Sequence, residues 1–239
     1  MSTFKITFAG GAQMPTGSNF LVEFGGKKIL IDCGLVQGEQ YSIPINSAPF
    51  IYDATTIDML FVTHAHLDHV GRIPYLVRDG FKGQIISTEP TREMAELIML
   101  DSVGLLEKEA KRSGAPMIYE EKDVYESMHL WGTTISYEKE FVIETADGNA
   151  TVTLHDAGHI LGSSIVEIAY KGKKLAFTGD LGNTPSPLMK DTTPLKGVDY
   201  LVIESVYGDR NHKDKDRRIE IFKEAVTSTI AKGGTVLLP

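Results

Sequence analysis

The chain has 239 residues, enough for one large domain or two small ones, and its 42% hydrophobic and 23% charged content excludes wholesale disorder. No apolar run reaches the roughly 18 residues of a membrane span, and no basic segment precedes an apolar one at the N-terminus, so we expect neither a transmembrane span nor a signal peptide. The single cysteine, Cys33, cannot form an internal disulfide, which predicts a cytoplasmic location. The net charge of −8 argues against a large surface that binds nucleic acid.

The first 62 residues are rich in predicted strands. These strands combine β-branched or aromatic residues with glycine or aspartate at their ends, and their sequences are FKITFAG, NFLVEFG, KKILIDCG and IDMLFVTH. Gly25 and Gly26 separate the second run from the third and predict a tight hairpin. Apolar residues at helical spacing predict a short helix from Val70 to Gly80, and GQIIST is the next predicted strand.

A long amphipathic helix is predicted over residues 91–114, with Pro90 near its start and Gly114 at its end. A loop and a shorter helix follow over residues 115–132. Strands return in FVIETA, TVTLHDAGH, SSIVEIAY, KLAFTGD and VDYLVIES, followed by a charged helix near 215–232 and a final strand, TVLLP. Strands at both ends, with helices between and after them, predict two packed sheets with helices outside, a layered α/β sandwich.

Residues 61–71, FVTHAHLDHVG, place three histidines and an aspartate close together. His64 and His66 follow a predicted strand and alternate by two, so both side chains leave it on the same side. Asp68 and His69 stand at the start of the predicted short helix. Imidazole and carboxylate without thiolate suit Zn²⁺, with Mn²⁺ or iron as lesser options. This pattern can serve two metal ions a few ångströms apart.

Two later segments supply what such a site lacks. DAGHILGSS places His159 in a glycine-flanked loop at the end of a predicted strand, and FTGDLGN places Asp180 between glycines, where backbone can approach closely. The two oxygens of Asp180 can bridge two metals. Alone, His159 would be an ordinary loop histidine and Asp180 part of a turn. Together with the first cluster they predict a dinuclear site.

The chain resembles the metallo-β-lactamase fold superfamily. The matching pieces are IDCG around Asp32, THAHLDH, AGHILGSS and TGDLG, in the order that the family uses. IESVYGDR, residues 203–210, is similar to the signature of its β-CASP subgroup, which includes the cleavage subunit of pre-mRNA 3′-end processing, RNase J and bacterial ribonucleases. AKGGTVLLP is similar to the strand at which the subgroup inserts its cap domain. The resemblance covers essentially the whole chain and implies a four-layer αββα sandwich, incomplete at the C-terminus.

The resemblance also implies a role for each matching residue. The implied metal ligands are His64, His66 and His159 for the first zinc, Asp68 and His69 for the second, and Asp180 as the bridge. Asp32 would support the opening loop from behind the ligands, since metal ligands need oriented partners.

The residues implied in catalysis are Asp68, which would aim the attacking hydroxide, Asp180, and Glu204, which would orient a histidine later in the family's sequences. In the segment after Glu204, Tyr207 and Arg210 are implied substrate contacts. DRNHKDKDRR, residues 209–218, is the densest basic segment of the chain and is a candidate for the rim of the cleft. A solvated helix start with mixed charges is the alternative, and it is the favoured one.

The implied activity is hydrolysis of RNA phosphodiester bonds in RNA processing or degradation, with endonuclease and 5′-exonuclease action both open. A hydroxide bridging two zinc ions would attack, because the metals lower the pKa of bound water to about 7. Single-stranded RNA would be the substrate, and a second copy or a processing complex the partner. Residues 1–239 would be the N-terminal part of the domain, with the cap domain and the last metal ligand expected beyond residue 239, so we expect weak or no activity from this part alone.

The metal ligands alone leave other functions open, because one hydroxide serves several reactions. The alternatives are a small-molecule hydrolase acting on a thioester, lactone or β-lactam, and a non-catalytic subunit of an RNA-processing complex. A di-iron protein fits less well, because His66 lies where those relatives place a carboxylate. IESVYGDR favours the ribonuclease. The net charge is offset locally, because the acidic residues of the site would face the metals.

Four other residues are predicted to lie outside the metal site. His155 is expected to pack or to support a ligand, and His129 to lie at the surface or in the core of the middle helix. His212 is a weaker candidate for substrate contact. Cys33 is expected to be buried filler rather than a ligand.

Overall fold

The structure, a computed structural model, describes residues 3–38, 42–183, 185–210 and 217–238. The chain divides into two compact units, Met1–Glu204 and Ser205–Pro239. The first unit contains two β-sheets and the helices that pack on them, and the second contains helix α6, Arg218–Ala231. No helix among the described residues is long and apolar enough to cross a membrane.

The first sheet consists of six strands. They are β1 Lys5–Gly10, β2 Asn19–Phe24, β3 Lys27–Ile31, β4 Met59–Phe61, β5 Gln84–Ser87 and β6 Thr133–Thr134. They lie side by side in chain order, with β1 to β3 antiparallel and β3 to β6 parallel. The predicted hairpin is confirmed: Gly25 and Gly26 join β2 to β3 with φ of 53° and 80°.

The second sheet consists of five strands. They are β7 Glu140–Thr145, β8 Gly148–Asp156, β9 Ser164–Tyr170, β10 Lys173–Phe177 and β11 Tyr200–Val202. The order across the sheet is β11-β10-β9-β8-β7, and only the β10–β11 pair is parallel. The long segment between β10 and β11 makes that parallel pairing possible.

The helices of the first unit lie between its strands in sequence. They are α1 Ser42–Ser47, α2 Leu67–Val70, α3 Ile73–Arg78, α4 Glu89–Ser113 and α5 Glu121–Leu130, with a 3₁₀ turn at Ala54–Thr56. The long predicted helix is confirmed in α4. The Thr88 side chain accepts a hydrogen bond from Thr91 N–H at its start, Pro90 lies in its first turn, and Gly114 follows its last residue.

Side-chain alternation along β3 to β5 divides the core into two clusters. The residues facing the second sheet are Ile29, Ile31, Phe61 and Ile86, and those facing the helices are Leu30, Leu60 and Ile85. All are fully buried, and each such side chain stabilises the fold by about 1.5–3 kcal/mol. The predicted layered α/β sandwich is therefore confirmed in the first unit as helices, sheet and sheet.

The outer face of the second sheet is covered differently. Its buried residues Ile165 and Ala176 pack against Leu181, Leu195 and Val198, which belong to the segment between β10 and β11. This segment also carries Asp180, so the covering of the sheet and the placing of that carboxylate depend on the same stretch of chain.

Three of the predictions about individual elements are wrong. The strand expected to reach His64 ends at Phe61. The short helix expected over residues 70–80 is split into α2 and α3, because Pro74 has no N–H to continue a helix from α2. The predicted final strand, TVLLP, is not formed: the described residues 235–238 pair with no neighbouring strand.

Candidate metal centre

The loop after β4 carries the histidine cluster. Thr63 N–H donates to Asp32 Oδ1 at 2.8 Å instead of to a neighbouring strand, so regular pairing has ended. His66 is the N-cap residue of α2, but its side chain makes no capping hydrogen bond, which leaves the ring available. His64 and His66 thus lie in a loop rather than at a strand end, and their rings still meet, with His64 Nε2 3.0 Å from His66 Nδ1.

Four donor atoms from three segments converge beside this loop. They belong to His64, His66, His159 and Asp180, and all lie within 4.8 Å of one another. His66 Nδ1 is 3.0 Å from His64 Nε2 and 3.2 Å from His159 Nε2. Asp180 Oδ2 is 3.6 Å from His64 Nε2 and 3.5 Å from His159 Nε2. We call these four side chains the first donor group.

The first donor group fits a divalent metal ion. Tetrahedral bonds of about 2.0–2.1 Å to nitrogen or oxygen separate neighbouring donors by roughly 3.3–3.4 Å. The four separations given above run from 3.0 to 3.6 Å, and every pair of donor atoms lies within 4.8 Å. His66 Nδ1 carries at most one hydrogen, so it cannot donate a hydrogen bond to both His64 Nε2 and His159 Nε2. A cation attracts all three nitrogens and the carboxylate together.

A second donor group lies beside the first and shares Asp180. His69 Nε2 is 3.3 Å from Asp180 Oδ1 and 3.8 Å from Asp68 Oδ2. The His64 and His69 rings are 4.0 Å apart between centroids. Asp180 therefore directs Oδ2 to the first group and Oδ1 to the second, so that one carboxylate lies between two neighbouring positions for a cation.

His159 is held by a turn between β8 and β9. Ser163 Oγ accepts hydrogen bonds from His159 N–H at 3.1 Å and from Ile160 N–H at 3.2 Å. Ser164 N–H donates to Thr63 O at 2.8 Å. This last bond joins the His159 turn to the histidine loop of the first sheet, which brings donors from both sheets to one place.

Asp180 follows β10 in a turn whose backbone is fixed on both sides. A Cβ at Gly182 would lie 1.9 Å from Gly158 O, so only glycine lets this turn approach the His159 turn so closely. Leu181 N–H donates to Glu204 Oε1 at 2.6 Å. Glu204 is thus placed next to the Asp180 turn, where it contacts backbone rather than joining either donor group.

Asp32 supports the second donor group from behind. It is 1% exposed and has a φ of 57°, in the left-handed region. Its carboxylate accepts hydrogen bonds from Thr63 N–H at 2.8 Å, Thr63 Oγ1–H at 2.9 Å, Ser18 Oγ–H at 3.2 Å and His69 Nδ1–H at 2.7 Å. The bond from Nδ1 turns Nε2 of His69 toward Asp180, which fits the supporting role predicted for Asp32.

Sequence reasoning missed Thr63. Its hydroxyl lies between Asp32 and His64, 3.1 Å from His64 Nδ1. The only available signal is a hydroxyl-bearing residue directly before the first histidine of the cluster.

Burial affects the protonation of several donors. It lowers the pKa of His64 well below its ordinary value, and the neighbouring histidines lower it further. Burial likewise lowers the pKa of His159, against the opposing effect of Asp180. These rings are therefore neutral at pH 7 and have a free nitrogen for a cation. Burial raises the pKa of Asp68, which makes this carboxylate a better proton acceptor.

His69 differs from the other histidines. Burial alone would lower its pKa, but the charge of Asp32 and the contacts with Asp180 outweigh burial and raise the pKa to about 10. Burial alone would raise the pKa of Asp180, but His69 lowers it overall. In the metal-free chain His69 is thus a cation between two carboxylates.

Other predicted residues lie outside both donor groups. His155 lies on β8, and its Nδ1 is 2.9 Å from a carboxylate oxygen of Glu138 in the turn before β7, in keeping with its predicted packing role. Tyr207 and Arg210 belong to the second unit, where the Arg210 guanidinium carbon lies 5.3 Å from the centre of the Tyr207 ring. Their role as substrate contacts stays a prediction.

Three remaining predictions concern isolated residues. His129 is exposed on α5. Cys33 is buried with a free thiol, and burial raises its pKa to about 12, so it is inert filler as expected. His212 and most of the basic segment 209–218 lie outside the described residues.

Known proteins resemble this chain over most of its length. Residues 15–206 match the metallo-beta-lactamase superfamily. A ribonuclease from Thermus thermophilus is 32% identical over 236 residues, covering 98% of this chain and 51% of that protein. Cleavage and polyadenylation specificity factor 73 from Drosophila melanogaster is 31% identical over 234 residues, covering 96% and 32% respectively. A transcription termination factor from Methanosarcina mazei is 32% identical over 244 residues, covering 98% and 37%.

The chain therefore spans about half the length of the first relative and about a third of the other two. The resemblance drawn from THAHLDH, AGHILGSS, TGDLG and IESVYGDR is confirmed, since these relatives include a ribonuclease and a cleavage and polyadenylation factor. The family match covers most of the chain, and it includes every residue of the two donor groups. The chain belongs to the metallo-beta-lactamase superfamily.

Proposed function

We propose that this chain is the metal-binding part of a hydrolase that cleaves phosphodiester bonds in single-stranded RNA with two divalent ions, Zn²⁺ or Mn²⁺. The observation that carries the proposal is the position of Asp180. Its Oδ2 lies 3.5–3.6 Å from His64 and His159, and its Oδ1 lies 3.3 Å from His69. A carboxylate divided in this way between two donor groups is what a dinuclear site requires.

The donor groups would hold the two ions. In the proposed assignment the first ion is held by the first donor group, and the second by Asp68, His69 and Asp180. When bound, the ions would supply a water of lowered pKa and positive charge for the scissile phosphate.

The chain's own residues would orient and accept protons. Asp68, whose side chain is 16% exposed, would accept a hydrogen bond from the attacking water and aim it. Glu204 would keep Asp180 between the two groups through its bond to Leu181 N–H. Asp32 would keep His69 Nε2 directed at Asp180 through its bond to Nδ1.

RNA is favoured as the substrate by the relatives. One is named a ribonuclease and another a cleavage and polyadenylation factor. In the second unit, the Tyr207–Arg210 pair offers an aromatic face and a guanidinium, the groups that contact a base and a phosphate. A processing complex or a second copy would be the protein partner.

A matched pair of variants tests the proposal. Metal content would be measured by atomic spectrometry, and cleavage of a labelled single-stranded RNA would be followed with the protein in excess, so that a slow reaction is seen. We expect slow cleavage that needs added Zn²⁺ or Mn²⁺, is lost in Asp180→Asn, and is kept in Asp199→Asn, which alters an exposed carboxylate bonded to Lys173 and Lys174.

Three results would contradict the proposal. RNA cleavage that continues in Asp180→Asn or in EDTA would show that another site or a contaminant acts. Failure of the wild-type chain to take up any metal would remove its basis. Metal-dependent hydrolysis of a thioester or lactone with RNA left intact would assign the chain to the small-molecule hydrolases instead.

A further inference from the structure

Thr63 connects the supporting carboxylate to the first donor group. Its Oγ1 lies 2.9 Å from Asp32 Oδ2 and 3.1 Å from His64 Nδ1. It also lies 3.4 Å from His69 Nδ1, but that nitrogen has a shorter contact of 2.7 Å with Asp32. Thr63 is 1% exposed, so solvent cannot replace any of these partners.

The hydroxyl has one hydrogen for these neighbours, and this decides the direction of each bond. A carboxylate only accepts, so Thr63 donates its hydrogen to Asp32 and turns its lone pairs toward the rings. His64 Nδ1 must then carry a hydrogen and donate it to Thr63. With the hydrogen on Nδ1, the ring can offer a cation only the lone pair of Nε2, and Nε2 is the atom that faces His66 and Asp180.

We propose that Thr63 is a positioning residue that fixes the tautomer and ring orientation of His64 for metal binding. The tautomer follows from hydrogen bonds of the metal-free chain, and only its consequence for a metal rests on the proposed function. Asp32 thereby supports one histidine in each donor group. It accepts a hydrogen bond directly from His69, and it accepts one from the Thr63 hydroxyl, which in turn accepts from His64.

Two substitutions separate the hydroxyl from the rest of the side chain. Thr63→Val keeps the Thr63 N–H bond to Asp32 and the side-chain volume that packs on Gly179, where an added Cβ would lie 2.7 Å from Thr63 Cβ. It replaces only the hydroxyl, with a methyl group. Thr63→Ser keeps the hydroxyl and removes the methyl group. Ser102→Ala is the matched control, because it removes a buried hydroxyl that bonds to Met99 and Tyr119 outside the site.

The tautomer is read directly by NMR. Long-range ¹H–¹⁵N spectra of the metal-free chain with ¹⁵N-labelled histidine distinguish a protonated ring nitrogen from a bare one, and loss of one signal set in His64→Gln assigns His64. We expect the hydrogen on Nδ1 in wild type, Thr63→Ser and Ser102→Ala, and on Nε2 or on both nitrogens in exchange in Thr63→Val. A hydrogen on Nε2 in wild type would overturn the proposal even if Thr63→Val did not fold.

Metal affinity supplies the second measurement. Zn²⁺ competition with a chromophoric chelator should show binding about 10–100-fold weaker in Thr63→Val and close to wild type in Thr63→Ser and Ser102→Ala. Unchanged tautomer and affinity in Thr63→Val would refute the role of Thr63 and leave the proposed function standing. The expected tautomers in a wild-type chain that binds no metal would refute the proposed function alone.

Discussion

Asp32→Asn is expected to lower the free energy of unfolding of the metal-free chain by about 3–5 kcal/mol, the usual loss when one partner of a buried charged pair is removed. Oδ2 of Asp32 accepts from Ser18, Thr63 and His69, and Oδ1 accepts from Thr63 N–H. An asparagine keeps the volume. Whichever way its amide is turned, however, an NH₂ group faces at least one donor.

The charge on His69 gives a second value for the same loss. Burial alone would lower the pKa of His69, but Asp32 and Asp180 raise it from 6.5 to about 10. That difference corresponds to about 5 kcal/mol of preference for the charged ring in the folded chain. Asp180 supplies part of it, so a loss of about 3–5 kcal/mol on removing the charge of Asp32 is consistent.

The same pair makes the stability depend on pH with a definite sign. A raised folded-state pKa gives a stabilisation that is fully present below pH 6.5, where the unfolded chain also protonates this ring, and that is lost as pH rises toward about 10. Between these values the free energy of unfolding should fall by up to about 1.4 kcal/mol per pH unit. Asp32→Asn should flatten this fall, because His69 then no longer keeps the extra proton.

Urea denaturation in EDTA at several pH values between 6 and 9 measures both effects. Asp199→Asn is again the control, since this carboxylate is exposed and its pairing with Lys173 at the surface should contribute little to stability. A loss smaller than about 1 kcal/mol for Asp32→Asn near pH 6, or an unchanged pH dependence, would refute the reasoning.

Three further substitutions test the site and the core. His159→Gln should weaken Zn²⁺ binding by more than about 100-fold, whereas His155→Gln, outside the donor groups, should leave the affinity close to wild type. Equal losses of affinity in a competition titration would contradict the assignment of His159 to the first donor group. Gly182→Ala forces the Asp180 turn away from Gly158 and should lower both the stability, by about 1–3 kcal/mol, and the metal affinity. Thermal unfolding with and without Zn²⁺ measures both quantities. No change in stability or in metal affinity would show that the close approach is dispensable. Trp131→Ala removes a fully buried ring and should lower the urea unfolding free energy by about 3–5 kcal/mol; a loss under about 1 kcal/mol would be inconsistent with its burial.

Local patterns predict the elements of this fold well. A continuous apolar run of Ile29, Leu30 and Ile31 identifies β3, because both of its faces are buried, and the Pro90 and Gly114 signals mark the ends of α4 within two residues. The end of β4 is less predictable. Val62 is still apolar and its N–H bonds to Ile86 O, but the next N–H, that of Thr63, turns to Asp32, a contact across 31 residues of sequence.

Local chemistry identifies the donors but not what holds them. Four of the six donors lie within His64–His69 and are visible as a cluster, whereas His159 and Asp180 gain meaning only when they are considered together with that cluster. The bond of Leu181 to Glu204 spans 23 residues. Neither spacing nor composition encodes such a contact, because it depends on where two distant turns are brought by the packed sheets.

The first donor group draws on both sheets: the histidine loop follows β4 of one, and His159 and Asp180 follow β8 and β10 of the other. His66 and His159 are 93 residues apart in sequence, so an ion bound between them acts as a cross-link that closes a very long loop. An ion that binds only the packed arrangement would add about 4 kcal/mol of stability at a free concentration a thousand times its Kd. Metal occupancy and sheet-on-sheet packing are then one linked equilibrium. A cavity made deep between the sheets, far from any ligand, should release metal, and withdrawing metal should loosen that same core.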